Sequence, residues 1–215
     1  MKADAKAFAS FLEREFPDAH CSLHFSNPFE ALVSVMLSAQ TTDEAVNRVT
    51  PSLFRAFPDA HQLSKATQED VETYIKSLGL FHNKAKNLVA LSKVLVSQFN
   101  GDVPSSFEDL VNLPGVGIKT ANVVTAECFA RPSIPVDTHV ARVSKRMGFA
   151  SKSDEPPVIE KKLEKIFPRE SWIPLHHRII AFGRATCHAK NPECETCGFA
   201  TSCPYKAKAS IKTGK

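Results

Sequence analysis

Residues 112–124 read N-L-P-G-V-G-I-K-T-A-N-V-V, and this stretch decides the fold. Pro114, Gly115 and Gly117 break the chain between two apolar-periodic segments, Phe107–Leu113 and Ile118–Phe129. The pattern predicts two helices joined by a tight turn. Two glycines let the backbone turn sharply and expose successive N–H groups, and with the following helix N-terminus they form a seat for one phosphate. A glycine turn can also be a plain connection. Lys119 is the odd residue. A helix N-terminus already carries positive partial charge and favours an acidic side chain. Lys119 is therefore either a surface accident or an amine held where it costs something.

The rest of the chain also reads as helical. Ala5, Phe8, Ala9, Leu12 and Phe16 follow i, i+3, i+4, i+7 spacing until Pro17-Asp18, and Asn27-Pro28 opens a second helix with Phe29, Leu32, Val33, Met36 and Leu37 on one face. Thr41 with Glu44, Thr67 with Asp70 and Ser105 with Glu108 have capping-box spacing. Gly79 and Gly101 fall where helix C-caps are expected. A second helix pair surrounds Gly79-Leu80-Phe81-His82, from Val71–Leu78 to a helix starting near Asn83. No alternating run flanked by hairpin turns is present, so strands are not expected, and only the tail after Tyr205 reads as loosely ordered.

At 215 residues, with 43% hydrophobic and 23% charged, the chain has the composition of a globular protein with a sizeable core. No apolar run approaches the roughly 20 residues a membrane span needs. Asp4 and Lys6 interrupt the N-terminus where a secretory signal would be apolar, so a cytoplasmic protein is expected. The net charge of +4 is unevenly distributed: residues 1–136 hold 12 basic and 15 acidic side chains, residues 137–215 hold 15 and 8. That asymmetry fits a polyanionic partner for the C-terminal part, and equally an uneven solvated surface.

Four of the six cysteines, Cys187, Cys194, Cys197 and Cys203, lie within 17 residues in the spacing C-x6-C-x2-C-x5-C. In a cytosolic protein metal binding is the default reading. Zinc is usually held by two close pairs, whereas only Cys194 and Cys197 form one here, so the uneven spacing favours the corners of a 4Fe-4S cluster. Cys21 and Cys128 are expected to be packing residues.

Taken together, L-P-G-V-G-I-K-T-A at 113–121, V-D-T-H at 136–139, the cysteine spacing, L-S-A-Q-T-T-D at 37–43 and G-L-F-H-N-K-A at 79–85 resemble the endonuclease III family. These are DNA glycosylases and abasic-site lyases of base-excision repair in the helix-hairpin-helix superfamily. The resemblance covers nearly the whole chain and implies an all-α fold of two lobes with the active site in the cleft between them. One lobe, residues 22–132, carries the helix-hairpin-helix. The other joins 1–21 to 133–215 and carries the iron-sulfur loop.

The resemblance also implies residue roles. Lys119 is the nucleophile, displacing the base at C1′ and holding the sugar as a Schiff base that permits β-elimination at the 3′ phosphate. The positive field of the helix N-terminus, with partial desolvation, would disfavour the ammonium and free its lone pair. Asp137 stabilises the cationic sugar or moves protons; read alone, it is an N-cap for Thr138–Met147. The base must leave the duplex, and Gln40 and Leu80 are the implied fillers of the hole, although on their own they read as a surface glutamine and a core leucine. Gly115, Gly117, His139, Arg184 and Lys190, with His188, are implied DNA contacts, mainly to phosphate. The implied cofactor is a 4Fe-4S cluster, the implied partner is damaged double-stranded DNA, and a cytoplasmic monomer, nucleoid-associated if bacterial, is expected. Many relatives carry arginine where this chain has Ile118. An adenine glycosylase would lack Lys119, and a non-catalytic DNA-binding module would not need Lys119 paired with Asp137.

Overall fold

The computed structural model describes residues 2–207, and among these no strand occurs. The chain divides into two units, Cys21–Arg131 and a discontinuous one that joins the N-terminal segment to the chain from Pro132 onward. The loose order expected after Tyr205 falls mostly on residues 208–215, outside the described residues.

In the discontinuous unit, α1 (Ala5–Glu15) starts at Asp4, whose carboxylate accepts from the Ala7 amide. The expected apolar stripe is present, with Phe11 as an addition that the i, i+3, i+4 count passed over. Phe8 sits in an aromatic cluster with Phe11, Phe149, Phe182 and Phe199, at centroid separations from 5.2 to 6.4 Å.

In the Cys21–Arg131 unit, α2 (Pro28–Leu37) is the central helix. Asn27 caps it, Pro28 takes the first turn, and every residue from Ala31 to Leu37 is buried. A helix apolar all round must be enclosed, and α2 packs against α3 (Asp43–Ala56) and, further along the chain, Phe81–Phe99 and Ile118–Phe129. Between them come α4 (Ala60–Leu63) and α5 (Gln68–Ile75). The capping box at α5 is complete: Thr67 Oγ1 accepts from the Asp70 amide and Asp70 accepts from the Thr67 amide. The other two expected boxes are displaced by one residue. Thr42, not Thr41, caps α3, and Ser106, not Ser105, caps α7 (Phe107–Val111). In each pair of adjacent hydroxyl residues the second holds the cap, a choice that spacing alone leaves open.

Gly79 is also corrected as a C-cap. It has no positive φ; the left-handed residue is Leu80 (φ 59°), directly before α6 (Phe81–Phe99). At the far end of α6, Asn100 takes the left-handed cap with Gly101 (φ 88°) behind it. Cys21 and Cys128 pack partly buried against this core, where burial pushes both thiols up to about 11.

Candidate active site

The turn after α7 leads into α8 (Ile118–Phe129), whose N-cap Gly117 offers no side chain, so the first-turn amides have no side-chain cap. The two glycines differ in kind. Gly115 has φ +77°, and a Cβ there would lie 2.9 Å from Asn87 Cβ, Asn87 Nδ2 and Met36 Cε. Gly117 has φ −93° with nothing within 4 Å of a built Cβ. The fold therefore demands glycine at 115, while at 117 it leaves open space over a helix N-terminus. Lys119 is the second residue of α8 and is exposed. The partial desolvation expected of its amine is thus not supplied by the free protein. Ile118 beside it is 60% exposed, an apolar side chain at the mouth of the hairpin.

Gln40, Leu80 and Gly115 come together around one pocket of about 160 Å³, also lined by Met36, Asn83, Lys84 and Asn87. Gln40 (φ 54°) and Leu80 (φ 59°) are both in the left-handed region, which for residues with a Cβ costs roughly 1–3 kcal/mol each. Leu80 is 56% exposed. The core-leucine reading fails: an aliphatic side chain is held out to solvent on strained backbone.

In the discontinuous unit, Asp137 is the N-cap of α9 (Thr138–Met147), with Oδ1 accepting the Val140 amide at 2.7 Å. His139 is half-buried, with Nδ1 3.0 Å from Arg142 Nη2. Burial, then Arg142 and Arg184, lower its pKa against the upward pull of Asp137. Arg142 Nη2 can only donate, so Nδ1 accepts in this contact. Arg184 stands exposed in the last turn of the helix Trp172–Ala185, and Lys190 is exposed on the loop that follows.

Cys187, Cys194, Cys197 and Cys203 line a single pocket with Met147, Phe182 and Tyr205. Among the described residues no three of His, Cys, Asp or Glu converge on one metal-ion position. Burial raises the Cys194 and Cys197 thiols, and the neighbouring cysteines add to it. Sequence reasoning missed the residues that hold this loop. Arg146 donates to Cys187 O, Cys187 Sγ and His188 O through Nη1, and to Ala189 O through Nη2, at 2.7–3.1 Å. Its guanidinium also lies 4.5 Å from the Tyr205 ring centroid. Arg142 donates to Cys187 O and Gly183 O. The i, i+4 pair Arg142 and Arg146, following V-D-T-H on one helix, was the available signal.

HhH-GPD superfamily base excision DNA repair proteins match this chain over residues 33–169. Endonuclease III of Bacillus subtilis (strain 168) is 47% identical over 197 residues, covering 92% of this chain and 90% of its own length. This chain belongs to the endonuclease III family. Endonuclease III of Escherichia coli (strain K12) is 41% identical over 210 residues, covering 98% and 99%. The solved structure of a trapped endonuclease III–DNA covalent intermediate, an estranged-adenine complex, matches with TM-score 0.91 and 45% identity over 95% of this chain and 96% of that one. As a member of the endonuclease III family, the protein is a DNA N-glycosylase with abasic-site lyase activity in base-excision repair. The adenine-glycosylase and binding-module alternatives are not favoured.

Proposed function

We propose that the protein excises oxidised pyrimidines from duplex DNA with Lys119 as the nucleophile and Asp137 as its carboxylate partner. The observation that carries this reading is Lys119 itself: an exposed amine one residue past a helix start that has no side-chain cap and open space at Gly117. The Lys119 nitrogen attacks C1′ of the deoxyribose and the base leaves with its bonding pair. The ring opens to an iminium, which acidifies the C2′ proton; loss of that proton expels the 3′ phosphate. Bound DNA supplies the desolvation that the free protein lacks. Asp137 Oδ1 is fixed by the Val140 amide, and the carboxylate stabilises the developing positive charge of the sugar.

The hairpin seat of Gly115 and Gly117 takes one phosphate, while His139, Arg184 and Lys190 add contacts without base preference. Gln40 and Leu80 enter the stack when the damaged base leaves, which accounts for their strained and exposed placement. Cys187, Cys194, Cys197 and Cys203 would hold a 4Fe-4S cluster. Their donor set fits it: four sulfurs spread around one pocket, with the Arg146 guanidinium donating to Cys187 Sγ. When bound, the cluster supplies iron–thiolate bonds that staple residues 187–203 and so present Lys190. No helix among the described residues is long and apolar enough to cross a membrane. The protein acts as a cytoplasmic monomer on nucleoid DNA.

The test is borohydride trapping on duplex DNA carrying thymine glycol, with the native protein and Lys119→Gln. A crosslink that disappears in the variant while DNA binding persists supports the reading. Absence of a native crosslink on both thymine glycol and abasic DNA, despite tight binding, refutes it.

A further inference from the structure

Lys84 is the second lysine of this unit with an unusual position. It lies in the first turn of α6, four residues after Leu80, and is only 8% exposed. Among the described residues no carboxylate faces it. Its Nζ donates to Thr41 Oγ1 at 2.6 Å, and burial holds the amine below the usual lysine value. A buried ammonium with one hydroxyl partner is costly where a methionine would pack equally well, so packing alone does not account for it.

What it touches does account for it. Thr41 Oγ1 also reaches Ala39 O at 3.3 Å, so the relay from Lys84 through Thr41 to Ala39 bridges the two residues flanking Gln40. The Lys84 backbone amide donates to Leu80 O at 3.0 Å. One residue thus holds the flank of Gln40 through its side chain and Leu80 itself through its backbone. These two residues are left-handed and share the 160 Å³ pocket that Lys84 also lines. We propose that Lys84 is a positioning residue that, with Thr41, sets Gln40 and Leu80 in their left-handed conformations so that both enter the duplex together. The proposal rests on the reading of Gln40 and Leu80 as fillers of the emptied stack. A neutral side chain at 84 would free residues 39–41 to relax, and insertion would then have to restore the strained geometry in each binding event.

The test measures single-turnover excision of thymine glycol by the holoprotein, from duplex and from single-stranded DNA. A single strand has no stack to refill, so a positioning defect is specific to duplex, whereas a general folding defect lowers both rates. Lys84→Met and Thr41→Val are expected to slow duplex excision about tenfold or more, the scale of a hydrogen bond to a charged group, and to leave the single-strand rate within about twofold. Thr41→Ser, which keeps the hydroxyl, is expected to retain the duplex rate. Adding Lys84→Met to Gln40→Ala/Leu80→Ala is expected to cause no further loss. 2-Aminopurine opposite the lesion is expected to report reduced insertion in Lys84→Met. Equal losses on both substrates, or Lys84→Met matching the native duplex rate, overturn the proposal. If Gln40→Ala/Leu80→Ala slows duplex excision while Lys84→Met does not, only the role of Lys84 falls. If the double variant excises from duplex at the native rate, the filler reading itself falls and takes the proposal with it.

Discussion

The two glycines of the hairpin, alike in sequence, are expected to fail in opposite ways when replaced by alanine. At Gly115 the φ of +77° places an L-residue in the left-handed region, at roughly 1–2 kcal/mol. The new Cβ would meet Asn87 Cβ, Asn87 Nδ2 and Met36 Cε at 2.9 Å. Asn87 Cβ is fixed to the α6 backbone and cannot rotate away, so overpacking adds about 1–3 kcal/mol. Gly115→Ala should therefore lose about 2–5 kcal/mol, or about 4–20 °C of thermal midpoint for a chain of this length. At Gly117 alanine adopts φ −93° without strain and meets nothing within 4 Å. The lower chain entropy of unfolded alanine, worth about 0.4–1 kcal/mol, offsets its poorer N-capping. Gly117→Ala should melt within about 3 °C of the native protein yet bind duplex DNA about tenfold more weakly, because its methyl enters the phosphate seat. Thermal melts of the holoproteins with fluorescence-anisotropy titrations on abasic duplex separate the two. Equal stability losses, or Gly115→Ala melting with the native protein, would refute this division between a glycine required by the fold and one left open for a ligand.

Leu80→Gly removes left-handed strain from a largely exposed side chain, so its thermal midpoint should equal or exceed the native value while duplex excision falls at least about tenfold, read in melts and single-turnover assays. Arg146→Met loses the hydrogen bonds to Cys187, His188 and Ala189 as well as the Tyr205 face; iron release from the proposed 4Fe-4S cluster to a chelator should be about tenfold faster, and an unchanged rate would remove Arg146 from the support of that cluster. Burial, with Glu164 nearby, raises Glu160 from 4.5 to about 7. A raised folded value means that its contribution is fully present below about pH 4.5 and is lost as pH rises through about 7. Glu160→Gln should therefore be more stable than the native protein at pH 8 and converge with it toward pH 4.5, and pH-dependent urea midpoints would show the reverse if the sign is wrong.

Much of this protein was legible one residue at a time. The helix starts at Asn27 and Thr67 follow from local capping chemistry, and the hairpin follows from glycine and proline placement, because each depends on neighbours within four residues. The shifts from Thr41 to Thr42 and from Ser105 to Ser106 mark the limit of that reasoning: two adjacent hydroxyls offer equal local chemistry, and packing chooses between them. Leu80 marks another. Residue preferences place the positive φ at Gly79, and only the surroundings of the turn can impose it on a leucine.

The sequence by itself determined the helical class, the glycine turn of the hairpin, the cysteine spacing and the place of Lys119 at a helix start, since each is written in short-range spacing. Only the tertiary structure decided that Gly115 is required by Asn87 and Met36 while Gly117 is not, that Arg146 grips the cysteine loop, and that Lys84 joins Gln40 to Leu80. The physical reason is common to all three. Steric exclusion and buried hydrogen bonds depend on which side chains distant segments bring within a few ångströms, and no periodicity along the chain encodes that distance.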